Sequence, residues 1–225
     1  MTRLVPALSA AALLMAGAFV FSDQPGRAPA SWLVGSALAA NEAAEVDTST
    51  IQDMVLGAED APVTIVEYAS FTCPHCATFD QGPFKKLKAE YIDTGKVKLI
   101  YREVYFDRYG LWASMIARCS GDTGKFFGIT DLIFKTQNDW VRAGGPTEIV
   151  DALRKIGRLA GTDNDQLEAC LQDGAKAQTL VAWYQEHAKE DGIDATPTFI
   201  INGTKVPNQA WDDFKAVIDA ELAKQ

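Results

Sequence analysis

A chain of 225 residues with 48% hydrophobic content can bury the core of one or two domains. Its formal net charge of -9, with no run of Lys and Arg, speaks against a nucleic-acid partner. Only two histidines are present, His75 and His187, which leaves little for a Ser/His hydrolase or a His-rich metal enzyme.

The chain opens like an export signal. Arg3 is a short positive lead, Leu4 to Phe21 is almost wholly apolar, and Ala37-Leu38-Ala39 offers a small-residue cleavage pattern. Residues 1–39 are therefore expected to be a signal peptide. The apolar run is also long enough to stay as an uncleaved membrane anchor. By either route the folded part lies outside the cytoplasm, where disulfides persist. Residues 40–60 are acidic and rich in Ala, Ser and Thr, and read as a lead-in too short for a dimerisation module.

Val63 to Ala69 is an apolar run that predicts a strand, and Cys73-Pro74-His75-Cys76 follows it where helical character begins. Pro74 suits the first helical position, because its missing N–H would be unbonded there anyway. The helix places Phe79, Phe84, Leu87 and Tyr91 inward, and Gly82-Pro83 should kink it. Gly95 marks a turn before a second strand over Val97 to Val104. From Arg108 to about Lys189 the pattern is helical, interrupted by glycines, with Trp112, Phe126, Phe127, Trp140 and Trp183 expected in its core. Strand character returns at Thr198 to Ile201, Asn202-Gly203 is a hairpin turn, and Thr204 to Val206 a last short strand. Ala210 to Lys224 is an amphipathic closing helix with Trp211, Phe214, Val217, Ile218 and Leu222 on its apolar side. Pro62 and Pro207 read as turn residues.

Two cysteines two residues apart at a strand-to-helix turn are placed for reversible disulfide chemistry. Cys73 sits where the first N–H groups of the helix are unbonded, so those groups and the helix dipole favour its thiolate. His75 adds positive charge if protonated and a donor if neutral. Cys76, one turn in, is the less exposed, resolving thiol. A structural zinc site would need four ligands, and no second cysteine pair has suitable spacing. Cys119 and Cys170 both fall in the helical block; an oxidising compartment favours a bridge between them, and two separate buried thiols are the alternative.

Ala61 to Tyr68, Phe71-Thr72-Cys73-Pro74-His75-Cys76, Tyr101-Arg102-Glu103 and Thr196 to Gly203 together resemble the DsbA-like thiol:disulfide oxidoreductases of bacterial envelopes. The resemblance covers nearly all of residues 50–225. It implies an α/β thioredoxin fold, β-α-β then β-β-α, with a helical domain inserted between the second and third core strands. Residues 61–107 and 190–225 would form the thioredoxin domain, and 108–189 the insertion. It further implies that Glu67 is buried behind the cysteine pair and relays protons to Cys76. The bland alternative is a strand carboxylate facing solvent. Thr196-Pro197 resembles the cis-proline loop that faces the cysteines and binds extended substrate through the Thr196 backbone. Arg102 and Glu103 match the family pattern, with a solvated pair as the other reading.

The implied activity is that of a periplasmic dithiol oxidase, a monomer without cofactor. It would donate the Cys73–Cys76 disulfide to exported cysteine-containing proteins and be reoxidised by a membrane partner of the DsbB type. The alternatives are a disulfide isomerase or reductase of the same fold, or a copper- or zinc-binding module using Cys73, His75 and Cys76.

Overall fold

The computed structural model describes residues 46–225; the expected signal segment, residues 1–39, lies outside them. Five strands form one mixed sheet in the order β1-β3-β2-β4-β5, where β1 is Met54–Leu56, β2 Val63–Ala69, β3 Val97–Glu103, β4 Thr198–Ile201 and β5 Thr204–Pro207. β2 and β3 run parallel in register, Glu67 beside Tyr101, whereas β1 on β3, β4 on β2 and β5 on β4 are antiparallel. Parallel neighbours need a crossover, and here it is helical. α1 (Pro74–Gln81) and α2 (Pro83–Leu87) continue into a single π-helical turn over Lys88–Ile92. The break at Gly82-Pro83 falls where the proline denies the helix an N–H.

Alternation along β2 assigns the two faces of the sheet. Val63 and Ile65 pack with Phe79, Phe84, Leu87 and Tyr91, and with Phe214 and Ile218 of the closing helix α9 (Trp211–Leu222). Tyr68 and Ile200 face the other way, against Tyr184 and Ile193. Between β3 and β4 the chain makes six helices: α3 (Arg108–Arg118), α4 (Thr123–Lys135), α5 (Gln137–Trp140), α6 (Pro146–Leu159), α7 (Asn164–Gln172) and α8 (Gly174–Glu190). Asp107, Asp122, Asp163 and Asp173 cap α3, α4, α7 and α8 by accepting backbone N–H bonds. Phe126, Trp140 and Trp183 are buried in this block, while Trp112 and Phe127 are only half-buried. Asn202 and Gly203 both take positive φ, 44° and 82°, the backbone that a two-residue hairpin requires.

The expected order is present, with one strand more. The lead-in is not featureless: it holds β1, and Ile51 and Met54 are buried. Three residues are too few to show a period, and an edge strand is defined by the partner it pairs with rather than by its own pattern. Pro207 closes β5 instead of sitting in a turn, a position open to proline because β5 is an edge strand. The solvated reading of Arg102 and Glu103 is also wrong. Neighbours on a strand point to opposite faces, and each finds its own partners. Arg102 bonds both oxygens of Asp53 at 3.0 and 3.1 Å and the Tyr68 hydroxyl at 3.0 Å. Glu103, 1% exposed, takes Arg118 at 2.5 and 2.6 Å and Ser114 at 2.8 Å.

Candidate active site

Cys73 is the N-cap of α1, with extended backbone, and Pro74 is the first helical residue. The turn before it closes through a bond from the Cys73 N–H to the Ser70 carbonyl at 3.1 Å. Thr72 donates to Asp107 at 2.8 Å, and Asp107 caps α3 through its other oxygen, so the loop is tied to the helical block. Cys73 is 8% exposed and Cys76 fully buried, both as free thiols. His75 is exposed on the first turn.

The two sulfurs are driven in opposite directions. The hydrogen bond from the Cys76 thiol brings Cys73 down to about 5. Partial burial opposes this, and the Thr196 side chain and the N–H groups of Cys76 and His75 reinforce it. Burial pushes Cys76 far above the ordinary thiol range, and the charge of Cys73 adds to that. Thr196 meets the pair in two ways. Its carbonyl accepts from the Cys73 thiol at 3.4 Å, a contact that belongs to the protonated form. Its hydroxyl is buried with no other partner, so it is free to donate to a thiolate. The Thr196–Pro197 peptide bond is cis.

Two carboxyl groups are buried together in the interior of this domain. Glu67, in the central strand and 3% exposed, is held well above the usual carboxylate range by burial and by Asp80. The solvent-facing reading of Glu67 is therefore excluded. Asp80, one turn beyond Cys76, is raised to about 6 by burial, against the pull of Lys85. Tyr101 stands beside Glu67 across the β2–β3 pair, its hydroxyl buried and without a partner. The charges of Glu67 and Cys76 both act on that phenol.

Cys73, Cys76 and Thr196 thus meet at the start of α1, with Pro197 following Thr196 across the cis bond, and Glu67 is buried in the central strand that leads to the cysteine turn. Cys119 and Cys170 are joined to each other elsewhere, linking the end of α3 to α7 across a Cα separation of 5.7 Å. Among the described residues no three His, Cys, Asp or Glu side chains converge as a metal-ligand set. Sequence reasoning missed Asp80, Asp107 and Gln137, and named Tyr101 only as part of the family resemblance. Only Asp107 carried a signal, as an N-cap residue before a helical run. Gln137 sits in the helical block yet donates from Nε2 to the Phe71 and Cys73 carbonyls at 2.8 and 2.9 Å.

Comparison with known proteins agrees with this geometry. The thioredoxin family model matches residues 49–220. A Rickettsia bellii protein provisionally named a protein-disulfide oxidoreductase is 37% identical over 170 residues, 76% of this chain; the chain spans only 64% of that relative's length. Disulfide bond formation protein D of Bacillus subtilis is 28% identical over 81% of this chain and 82% of its own. Among solved structures, alpha-DsbA1 of Wolbachia pipientis superposes with a TM-score of 0.70 at 29% identity, covering 77% of this chain and 92% of its own. BdbD of Bacillus subtilis, in its oxidised form, gives 0.66 at 27% identity, covering 76% and 93%. By family model, sheet order and the place of its cysteine pair, the chain belongs to the thioredoxin family, as a DsbA-like member.

Proposed function

We propose that the protein is an extracytoplasmic dithiol oxidase that passes the Cys73–Cys76 disulfide to exported proteins. The observation that carries this reading is the opposed setting of the two sulfurs, Cys73 down to about 5 and Cys76 far above the ordinary range. A thiolate that is stable in the reduced pair makes the oxidised pair a strong oxidant. In the forward reaction a substrate thiolate attacks the Cys73 sulfur. The Cys73–Cys76 bond breaks, and its electron pair leaves on Cys76. The high proton affinity of Cys76 makes it a poor leaving group unless a proton arrives with the electrons. Glu67, whose burial favours its protonated form, would be the acid that supplies one. A second substrate thiolate then attacks the substrate sulfur of the mixed disulfide, and Cys73 departs as a stable thiolate. Two electrons have moved from the substrate dithiol to the cysteine pair.

Thr196 and Pro197 would receive an extended substrate, the Thr196 backbone acting as a strand-like partner; the 3.4 Å contact of its carbonyl with the Cys73 sulfur supports this. The periplasm is the compartment that suits the reaction. No helix among the described residues is long and apolar enough to cross a membrane. The reduced pair would be reoxidised by a membrane partner of the DsbB type, with the protein acting as a monomer. The test is the equilibrium of the Cys73–Cys76 pair with glutathione. A strongly oxidising value supports the oxidase, and a thioredoxin-like value of about -270 mV selects the reductase instead.

A further inference from the structure

The active-site loop is held from the helical block by a side chain that plays no part in the exchange itself. Gln137 begins the four-residue helix α5 and is 5% exposed. Its carboxamide gives both hydrogens away, to the carbonyls of Phe71 and Cys73, which bracket the Thr72–Cys73 peptide. The Cys73 carbonyl also accepts the first intrahelical bond of α1, from the Ala77 N–H at 3.2 Å. The glutamine is fixed in turn: Trp140 of the same helix is 1% exposed and donates its indole N–H to Ile133 at 2.9 Å. A loop bridging two elements would not need an amide with two donors spent on backbone next to the nucleophile.

We propose that Gln137 is a positioning residue, which by clamping these two carbonyls holds the Cys73 sulfur over the open N–H groups of α1. Two effects follow. The clamp fixes the backbone of Cys73, so its sulfur stays aligned with the N–H groups of His75 and Cys76. The amide hydrogens also neutralise the Phe71 and Cys73 carbonyl oxygens, whose partial negative charge beside the Cys73 residue would oppose a thiolate. This inference rests on Cys73 acting as the thiolate proposed above.

The test compares the full chain with Gln137→Met, which keeps the shape without donors, and Gln137→Glu, which turns an acceptor on the same carbonyls. Ultraviolet titration of the Cys73 thiolate and equilibration with glutathione are the readouts. Loss of a net interaction of ordinary hydrogen-bond size should raise the Cys73 midpoint by about one pKa unit in Gln137→Met. The glutathione equilibrium should move about tenfold toward the oxidised protein. Gln137→Glu should move both at least as far. In the unsubstituted protein, the two side-chain amide proton resonances of Gln137 should titrate with the Cys73 midpoint, a readout that needs no variant to fold. Folded variants that titrate like the parent, or amide resonances indifferent to Cys73, overturn the role of Gln137 while leaving the thiolate reading intact. A parent midpoint in the ordinary range near about 8.5 overturns both.

Discussion

Replacing both Cys119 and Cys170 by alanine separates the structural role of one cysteine pair from the chemical role of the other. The bridge spans 51 residues of sequence and ties the end of α3 to α7. In the chain-entropy model a closed loop of that size removes about 14 cal/mol/K from the unfolded chain, or about 4 kcal/mol at room temperature. Little of this should come from lost packing. Leu167 of α7 is fully buried and approaches α6 so closely that a Cβ on Gly157 would lie 2.5 Å from its Cδ2. Arg154 of α6 also holds Glu168 of α7 at 2.5 and 2.9 Å. The double variant should keep its fold and lose stability through a freer unfolded state. For a described body of this size that is a fall in melting temperature of about 8–16 °C. Urea unfolding should show a lower midpoint with a steeper slope, since the unlinked chain exposes more surface. Oxidation of a dithiol peptide at a temperature where the variant is folded should match the parent. An unchanged urea midpoint would refute the entropic reasoning, and lost turnover in the folded variant would refute the division of labour between the pairs.

Arg118→Ala should cost about 3–5 kcal/mol, because it leaves the Glu103 carboxylate buried with Ser114 as its remaining side-chain partner; chemical denaturation measures it, and a loss below about 1 kcal/mol would contradict the buried-pair reading. Thr196→Val should raise the Cys73 titration midpoint, since the Thr196 hydroxyl that lowers it is gone; an unmoved midpoint contradicts the assignment. For Asp80, the folded value of about 6 exceeds the unfolded one, so the unfolded chain ionises first and stability falls as pH rises between about 4 and 6. Asp80→Asn should flatten that window and stabilise the protein at pH 8 by about 3 kcal/mol at most, measured by urea unfolding at several pH values; a variant less stable at pH 8 than the parent would contradict the sign. His75→Ser is expected to raise the Cys73 midpoint and weaken the oxidant, and an identical titration curve would count against any part for that side chain.

What could be read from the sequence was whatever is written locally. The Cys-Pro-His-Cys turn, the proline at the helix start and the Asn-Gly hairpin each rest on the chemistry of a few adjacent residues, and each stands in the structure where those residues are. The apolar run of β2 and the alternating pattern of β3 also declared themselves, because both strands lie inside the sheet. β1 did not, since three residues at an edge become a strand only by pairing with β3. The interior around the site was hidden for a related reason. Asp80 follows the inward-facing Phe79 on α1 with nothing in its neighbours to mark it, and its 6% exposure emerges only in the folded chain. Gln137 reaches the loop from 64 residues away, through a short helix with no periodicity of its own. Arg102 and Glu103 look like one solvated pair until the pleat sends them to opposite faces, with partners at Asp53 and Arg118.

The most direct measurement is the ultraviolet titration of Cys73 in the reduced protein. A midpoint near 5, leaving the sulfur about 99% ionised at pH 7, is the predicted result. A midpoint at about 8.5, that of a free thiol, would contradict it and remove the physical basis for a strong oxidant.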